Sequence, residues 1–390
     1  MRRRPAPDDA VLLDHLRLIR TDGIGPQTFR RLLARFPDPA AAIDALPGLA
    51  RAGGRAGPPV VPDRAEAVRE VEALARRGGR FLVLGQPLYP KLLALLDDAP
   101  PLLACLGDPA VLAARAVALV GGRNASANGA RMAEGLAAEL AGTGLVVVSG
   151  LARGIDAAAH AGALSAGRTV AVVAGGLDCP YPPEHADLQR RIAERGAVVA
   201  EAPLGTTPQA RHFPRRNRII AGLALGVIVI EAAPRSGSLI TARLAQEAGR
   251  EIFAVPGSPL DPRARGSNDL IRQGAHLTET AADVLENLPD HPLREGLARD
   301  PLFARGDPAG LSEVDREAAM PPDDVPEPPP AVLREARSQV AGLLGPAPTA
   351  VDDLIRRCQL SPAAVMAALL ELELAGRIET LPGQRVALLS

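Results

Sequence analysis

Two glycine-rich turns that follow apolar runs are the residues of this sequence most able to bind a ligand. The run 117–120 ends at the turn 121–124 (GGRN), and the run 145–148 ends at the turn 149–154 (SGLARG). Short apolar runs of this kind form buried parallel strands, and helical spacing of apolar residues follows each turn. Parallel strands end at one edge of a sheet, where the next helices present free N–H groups and a partial positive charge. The sequence therefore predicts an anion-binding edge.

These turns lack the usual nucleotide-binding signatures. The segment 120–129 (VGGRNASANG) does not fit the spacing GxGxxG, and no segment of the sequence reads GxxxxGK[ST]. Both signatures need glycines at set positions, and the second needs a lysine that reaches the phosphates. An ordinary NAD site and a P-loop ATPase site are therefore not indicated, and the ligand of the predicted anion site is open at this point.

A basic stretch is the second candidate for anion binding. Residues 211–218 (RHFPRRNR) include four arginines and no acidic residue. Because solvated helix faces usually mix charges of both signs, we interpret this stretch as facing phosphate. A structural cluster of ion pairs is the alternative. Phe213 would either stack on a base or lie in a core, and Asn217 would cap or brace the glycine turns.

A third turn, 234–238 (PRSGS), follows the apolar run 227–230 and opens another helical pattern. Serine or threonine at a helix start often serves only as a cap. With Gly237, the hydroxyls of Ser238 and Thr241 also supply hydrogen-bond donors at the same sheet edge, which suits a phosphate.

Catalytic interpretations are weaker. Asp156 and His160 are four residues apart and would share a helix face, which permits a general acid–base pair. The simpler interpretation is that Asp156 stabilises a helix N-terminus and that His160 lies in the core. The sequence has no HExxH and no GxSxG. Cys105, Cys179 and Cys358 show no CxxC spacing, so we expect no disulfide framework, metal site or cofactor.

Composition limits the possible partners. The formal net charge is −1, so binding to nucleic acid would need a local basic patch. Arginine almost entirely replaces lysine, which is typical of a GC-rich coding sequence and is no evidence by itself. No signal-peptide pattern follows Met1, and the longest apolar run, 219–230, is too short to cross a bilayer. We therefore expect a soluble, cytoplasmic protein without a membrane partner.

The alternation of strand, turn and helix from 117 to 257 is typical of a doubly wound, mainly parallel α/β sheet. The composition divides the chain further. We predict an N-terminal helical domain at 1–62, a Rossmann-like domain at 63–288, a flexible linker rich in proline and acidic residues at 289–331, and a winged-helix-like domain at 332–390.

Both terminal domains have patterns found in DNA-binding modules. The turn 21–26 (TDGIGP) resembles that of helix-hairpin-helix modules, whose glycine N–H groups can contact phosphate; a plain helical hairpin is the alternative. Three helical patterns followed by a β-hairpin near the C-terminus are typical of a winged helix. Its third helix, within 360–376, carries two glutamates and no basic residue before Arg377. This charge favours a structural or protein-contact role over binding in a major groove.

Several motifs, in the same order, resemble those of the bacterial DNA-processing protein A family, also called DprA or Smf. They are VALVGGRNASANG, VVSGLARGIDAAAH, TVAVVAGGLDCPYPPEH, FPRRNRIIAGLALGVIVIEAAPRSGSLITARLA and FAVPG. The resemblance spans residues 89–285 and is more specific than a single glycine loop. It implies an extended Rossmann-like domain with a small SAM- or helix-hairpin-helix-like domain before it and a winged helix after it. It also implies a non-enzymatic homodimer that binds and protects single-stranded DNA and loads the RecA recombinase in natural transformation, competence and DNA recombination.

The combined interpretation is a groove that follows the backbone of single-stranded DNA. Gly122 departs from the family, which commonly has serine or threonine there, so one hydroxyl donor is missing. The alternative is a nucleotide-binding hydrolase of the lysine-decarboxylase-like Rossmann group, although the turn 234–241 (PRSGSLIT) lacks the PGGxGT motif of that group. The predicted DNA- and phosphate-binding residues are Gly121, Gly122, Arg123, Ser149, Gly150, Gly154, Arg211, Phe213, Arg215, Arg216, Asn217, Arg218, Gly237, Ser238 and Thr241.

Overall fold

The chain folds into two compact units. The sheet unit begins at Glu70, and the terminal unit combines the residues up to Arg69 with those from 328 on. The linker predicted at 289–331 lies almost entirely outside the described residues, and the three boundaries between the four predicted segments stay predictions. The computed structural model describes residues 7–289, 328–358, 360–381 and 384–389.

Helices and strands are numbered here in chain order. The helices are α1 (Pro7–Ile19), α2 (Pro26–Arg35), α3 (Pro39–Ala52), α4 (Arg64–Ala75), α5 (Lys91–Ala94), α6 (Ala127–Gly142), α7 (Ile155–Ala166), α8 (Ala186–Arg195), α9 (His212–Leu223), α10 (Gly237–Glu247), α11 (Arg265–Arg272), α12 (Ala281–Asn287), α13 (Pro330–Leu343), α14 (Val351–Cys358) and α15 (Pro362–Leu374). The strands are β1 (Arg80–Val83), β2 (Leu102–Gly107), β3 (Ala116–Val120), β4 (Val146–Ser149), β5 (Thr169–Val172), β6 (Ala197–Ala200), β7 (Gly226–Val229), β8 (Glu251–Ala254), β9 (His276–Leu277), β10 (Thr349–Ala350), β11 (Ile378–Leu381) and β12 (Arg385–Leu388).

The sheet unit is built on nine strands in the order β1-β2-β6-β5-β4-β3-β7-β8-β9. From β6 to β9 every neighbouring pair is parallel, whereas β2 pairs antiparallel with both β1 and β6. The chain leaves β3 through β4, β5 and β6 in one direction and returns to the other side of β3 with β7. This reversal creates a crevice beyond the carboxyl ends of β3 and β7, where open α/β sheets bind ligands. The predicted mainly parallel, Rossmann-like sheet is confirmed.

Helices cover both faces of this sheet, which explains why its central strands are apolar throughout. Val120 and Val148 face a core shared with α9 and α10, whereas Val117 and Val147 face a core shared with α6 and α7. Successive side chains of a strand point to opposite faces, so runs such as VALV fill both cores. Because helices pack on both faces of the parallel strands, the turn from each strand to its next helix lies at the carboxyl edge of the sheet.

The terminal unit contains a winged helix. Helices α13–α15 surround a core with β11 and β12, and the three-stranded sheet has the order β10-β12-β11. The N-terminal helices α1–α3 form a second core around Phe29 and Leu46. The predicted N-terminal helical and C-terminal winged-helix folds are therefore present, and the structure places them in one unit.

Helix α15, the third helix of the winged helix, packs on both sides. Its Leu370 and Leu374 are buried in the core of α1–α3. Arg31 on α2 lies 3.0 Å from Glu373, and a Cβ at Gly53 would lie 1.9 Å from the carbonyl oxygen of Glu371. Glu371 and Glu373 are the two glutamates whose charge favoured a structural role for this helix, and both make contacts within the protein.

Among the described helices none has the length and apolar character that a bilayer crossing requires.

Candidate nucleic-acid interface

A cleft of about 570 Å³ lies at the point where the strand order reverses. The turn after β3, the turn after β4, the start of α9 and the start of α10 all contribute to it. Right-handed parallel connections bring these four segments to the same sheet edge. Its lining includes Gly121, Arg123, Ala152, Asp156, Tyr181, Phe213, Arg216, Asn217, Ser236, Gly237, Ser238 and Thr241.

Arg123 and two aromatic rings form one wall of the cleft. The guanidinium carbon of Arg123 lies 4.6 Å from the ring centroid of Phe213, a cation–π distance. The ring of Tyr181 meets Phe213 edge to face, with centroids 5.5 Å apart, and its side chain is 44 % exposed. The sequence contains only six phenylalanines and two tyrosines. Tyr181 was not among the predicted residues, although an aromatic residue in a proline-rich loop at the sheet edge was a usable signal.

Arg216 lies beneath the cleft with 6 % of its surface exposed. Its guanidinium donates a hydrogen bond of 2.7 Å to the carbonyl of Val172. A Cβ at Gly150 would lie 1.8 Å from Nη1 of Arg216, so glycine leaves the room that the guanidinium occupies. Burial lowers the pKa of Arg216 to about 10, an effect that Asp156 opposes. Arg216 is therefore a fixed positive charge at neutral pH.

The buried carboxylate of Asp156 binds the backbone of the Gly150 turn. Asp156 accepts hydrogen bonds from the N–H groups of Gly150, at 3.1 Å, and Ala152, at 3.3 Å. Burial raises the pKa of Asp156, and Arg216 together with these N–H groups opposes that rise. The Gly150 N–H, which the sequence assigned to a phosphate, already has a carboxylate partner.

Asp156 and His160 do not act on a common partner. The Nδ1–H of His160 donates to Thr169 Oγ1 at 2.7 Å, because that hydroxyl gives its own proton to the carbonyl of Val147. His160 is fully buried, and this burial, helped by Arg216, lowers its pKa to about 3. A neutral core histidine, the simpler of the two interpretations, agrees with this geometry.

Some predicted ligands lie outside the cleft or use their polar groups elsewhere. Arg218 is buried, 2.6 Å from Glu201 and 3.5 Å from Asp98. These contacts agree with the alternative of a structural ion-pair cluster for Arg218, and its assignment to a phosphate stays a prediction. Ser149 is also buried and donates its hydroxyl proton to the carbonyl of Leu119 at 2.6 Å.

Two further predicted glycines make contacts that join the two turns to the rest of the protein. Gly122 donates its N–H to the carbonyl of Glu231 at 2.8 Å, so this N–H has a partner within the protein. Gly154 has a φ of 75°, and a Cβ there would lie 2.4 Å from the carbonyl oxygen of Gly122. The two glycine turns therefore pack directly against each other.

The remaining predicted residues surround the cleft. Arg211 and Arg215 are exposed at the start of α9. Ser236 accepts a bond from the Ser238 N–H and caps α10, and the side-chain amide of Asn217 donates to the carbonyl of Gly237 at 3.3 Å. Asn217 thus braces the α10 turn against the arginine-bearing helix.

Comparison with known proteins identifies the family. The model for DNA recombination-mediator protein A matches residues 80–289, that for the DprA winged helix domain matches 324–384, and that for the DprA-like N-terminal HHH domain matches 9–73.

Individual relatives agree with these models. The DNA processing protein DprA of Bacillus subtilis is 46 % identical over 204 residues, 52 % of this chain and 69 % of that protein. Protein Smf of Escherichia coli is 40 % identical over 304 residues, 77 % of this chain and 75 % of that protein. The X-ray structure of DprA from Streptococcus pneumoniae aligns with a TM-score of 0.61 and 35 % identity, over 72 % of this chain and 99 % of that chain. The chain belongs to the DprA/Smf family of DNA-processing proteins.

Proposed function

We propose that this protein binds single-stranded DNA in the cleft, protects it and delivers it to the RecA recombinase. The observation that carries the proposal is the placement of Arg123 over Phe213 at the strand-order reversal of a sheet whose family processes DNA. An arginine beside an exposed aromatic edge offers one group for a phosphate and another for a base.

The proposed path of the DNA follows the exposed groups of the cleft. Arg123, Arg211 and Arg215 neutralise phosphates, while Phe213 and Tyr181 stack on a base. Ser238 and Thr241, at the start of α10, line the cleft but are buried, and they complete the groove behind its exposed groups. Arg216 acts from below as a fixed charge rather than as a mobile ligand, because its guanidinium is buried and bonded to Val172.

We infer a binding role and not a catalytic one. Asp156 is bonded to two backbone N–H groups, and His160 to a threonine hydroxyl. A general base must be able to accept the proton that it removes, and the carboxylate of Asp156 and the Nδ1 of His160 both have hydrogen-bond partners within the protein. Within the described residues, no group of three or more His, Cys, Asp or Glu side chains could hold a metal ion.

The decisive test is binding of a fluorescently labelled homopolymer of deoxythymidine, measured by anisotropy at constant salt. We expect Arg123→Ala to weaken binding about tenfold or more, because a charge-assisted hydrogen bond and a stacking contact are lost. Arg76→Ala is the matched control, since Arg76 is an exposed arginine in the turn after α4 and outside the cleft lining. Equal affinities of wild type and Arg123→Ala would refute the cleft assignment.

RecA delivery and homodimer formation need their own measurements. Light scattering of the purified chain tests the dimer, for which twice the monomer mass is expected. RecA filament formation on DNA coated with single-strand-binding protein tests delivery. We expect the wild type to shorten the lag of filament formation and Arg123→Ala to lose this effect; a lag unchanged by the wild type would refute the RecA part alone.

A further inference from the structure

Helix α6 begins where a Rossmann-like sheet normally binds a phosphate. It follows β3, beside the strand-order reversal, and its first N–H groups and dipole favour a negative charge. In this protein the side chain of Glu231, two residues after the end of β7, occupies that position.

The contacts of Glu231 are those that a bound anion would make. Its Oε2 accepts the Ser126 N–H at 2.9 Å, and its Oε1 accepts the Ser126 hydroxyl proton at 2.5 Å. Ser126 is the N-cap of α6, and its Oγ also accepts the Gly129 N–H at 2.9 Å. The carboxylate is therefore joined both to the backbone and to the cap of this helix.

The surrounding residues make room for this carboxylate. A Cβ at Gly129 would lie 2.4 Å from Cδ of Glu231, so a side chain there would push the carboxylate out. The carbonyl of Glu231 accepts the Gly122 N–H at 2.8 Å, on the other side of Arg123. The loop that carries Arg123 is thus fixed by Glu231 at both of its ends.

The second glycine turn has the same arrangement. Asp156 accepts the N–H groups of Gly150 and Ala152 after β4. Each of the two turns that the sequence marked as a phosphate cradle therefore already contains a carboxylate of the protein itself.

We propose that Glu231 substitutes for a ligand phosphate at α6, and that it has two effects. It excludes free phosphate and mononucleotides from the first glycine turn, and it positions Arg123 over the cleft. The second effect rests on the proposed function; the first does not. Selectivity for a polymer follows, because the backbone cradle is filled and a phosphate must then be bound by the side chains of several arginines along a strand.

The exclusion is tested by removing the carboxylate. Glu231→Ala leaves the Ser126 N–H and the positive end of α6 without their anion, so inorganic phosphate should bind there. We expect phosphate to raise the melting temperature of Glu231→Ala by about 2–5 °C more than that of the wild type, at ionic strength held constant with chloride. Glu247→Ala is the matched control, because it removes an exposed carboxylate from the C-terminal end of α10 and leaves no helix N-terminus without its anion. Its phosphate response should equal that of the wild type.

The positioning effect is tested by chemical rescue. We expect Glu231→Ala to bind the deoxythymidine homopolymer about tenfold more weakly than the wild type, and acetate in the vacated space to recover part of the loss. Glu247→Ala should show neither change. Should Glu231→Ala be too unstable to purify, Glu231→Gln keeps the volume and removes the charge. It should lose affinity to a similar extent and should not respond to acetate.

The outcomes separate the two proposals. A phosphate response of Glu231→Ala no larger than that of the wild type would overturn the substitution of a phosphate by Glu231. An unchanged DNA affinity of Glu231→Gln would overturn the positioning of Arg123 by Glu231. A wild type that does not bind the homopolymer would overturn the proposed function, while the phosphate experiment would still decide the role of Glu231.

Discussion

Arg216 and Asp156 place two opposite charges in the protein beneath the cleft. Each is less than a tenth exposed, and burial opposes the charged form of both. Removal of Arg216 would break its hydrogen bond to Val172 and take away the positive charge that opposes the raised pKa of Asp156. Substitutions of Arg216 therefore affect folding as well as binding, which makes the exposed Arg123 the better probe of DNA contact.

His160 gives the protein a measurable pH dependence. Its pKa is about 3 in the folded state and 6.5 in the unfolded reference, so between these values the unfolded chain binds more protons. Stability therefore falls as the pH is lowered below about 6.5. We expect the wild type to lose about 2 kcal/mol more than His160→Asn between pH 7.5 and pH 5, measured by urea unfolding. Equal losses in the two proteins would show that His160 does not contribute.

At the scale of secondary structure, α15 distinguishes this winged helix from a groove-reading one. A reading helix needs one exposed basic face. From 363 to 375 every residue of this helix region is buried or half-buried. Arg337 lies 2.7 Å from Glu371, which binds α13 to the same helix. The third helix of this winged helix therefore has no exposed basic face and packs within the terminal unit.

Truncation of α15 tests this packing. Leu374→Ala should destabilise the terminal unit by about 2–5 kcal/mol, because Leu374 is buried in the core of α1–α3. Leu343→Ala on α13 is the matched control, since that side chain is 36 % exposed and should cost about 0.5 kcal/mol or less. Hydrogen exchange should show α1–α3 and α13–α15 losing protection together in Leu374→Ala. Loss confined to α15 would contradict a shared core.

The sequence predicted the positions of the helices and strands better than it predicted the hydrogen-bond partners of their polar groups. Periodicity shows where strands end and where helix N-termini must lie, so the position of the cleft and the placement of Arg123 could be predicted. Whether a partner within the protein already satisfies an N–H group depends on distant residues. Glu231 contacts the turn at Gly122 from the end of another strand, which no local pattern reports. Asp156 is near the Gly150 turn in sequence, but its spacing alone does not show that its carboxylate binds that turn.

Arg218 and Tyr181 illustrate the same limit. Arg218 belongs to a basic run in sequence, but folding brings Glu201 and Asp98 beside it. Tyr181 lies 32 positions before Phe213, and their ring contact exists only because two connections end at the same edge. Contacts between residues of different strand-to-helix connections therefore determine which of the predicted residues line the cleft.

For the whole molecule, the net charge of −1 makes nucleic-acid binding a property of one surface. Non-specific attraction to DNA should be weak outside the cleft. Affinity should depend on salt through the few phosphates that the cleft arginines neutralise and should depend little on base sequence.

A salt series measures this number of phosphates. With three arginines in contact, the slope of log K against log salt concentration should be about −2 for single strands, and Arg215→Ala should reduce its magnitude by about 0.7. Homopolymers of deoxythymidine and deoxycytidine should give similar slopes. A slope that Arg215→Ala leaves unchanged would remove that residue from the DNA path.

The shared core of α1–α3 and α15 has a consequence for synthesis of the chain. A ribosome adds about 5–20 residues per second, so roughly 15–60 s separate the translation of Leu49 from that of Leu370, its neighbour in this core. During that interval the first helices are complete but still lack the leucines that cover them. Nascent chains of this protein should therefore expose an apolar surface at the N-terminal end until translation is nearly finished, and a ribosome stalled after the sheet unit should hold a chain that chaperones recognise.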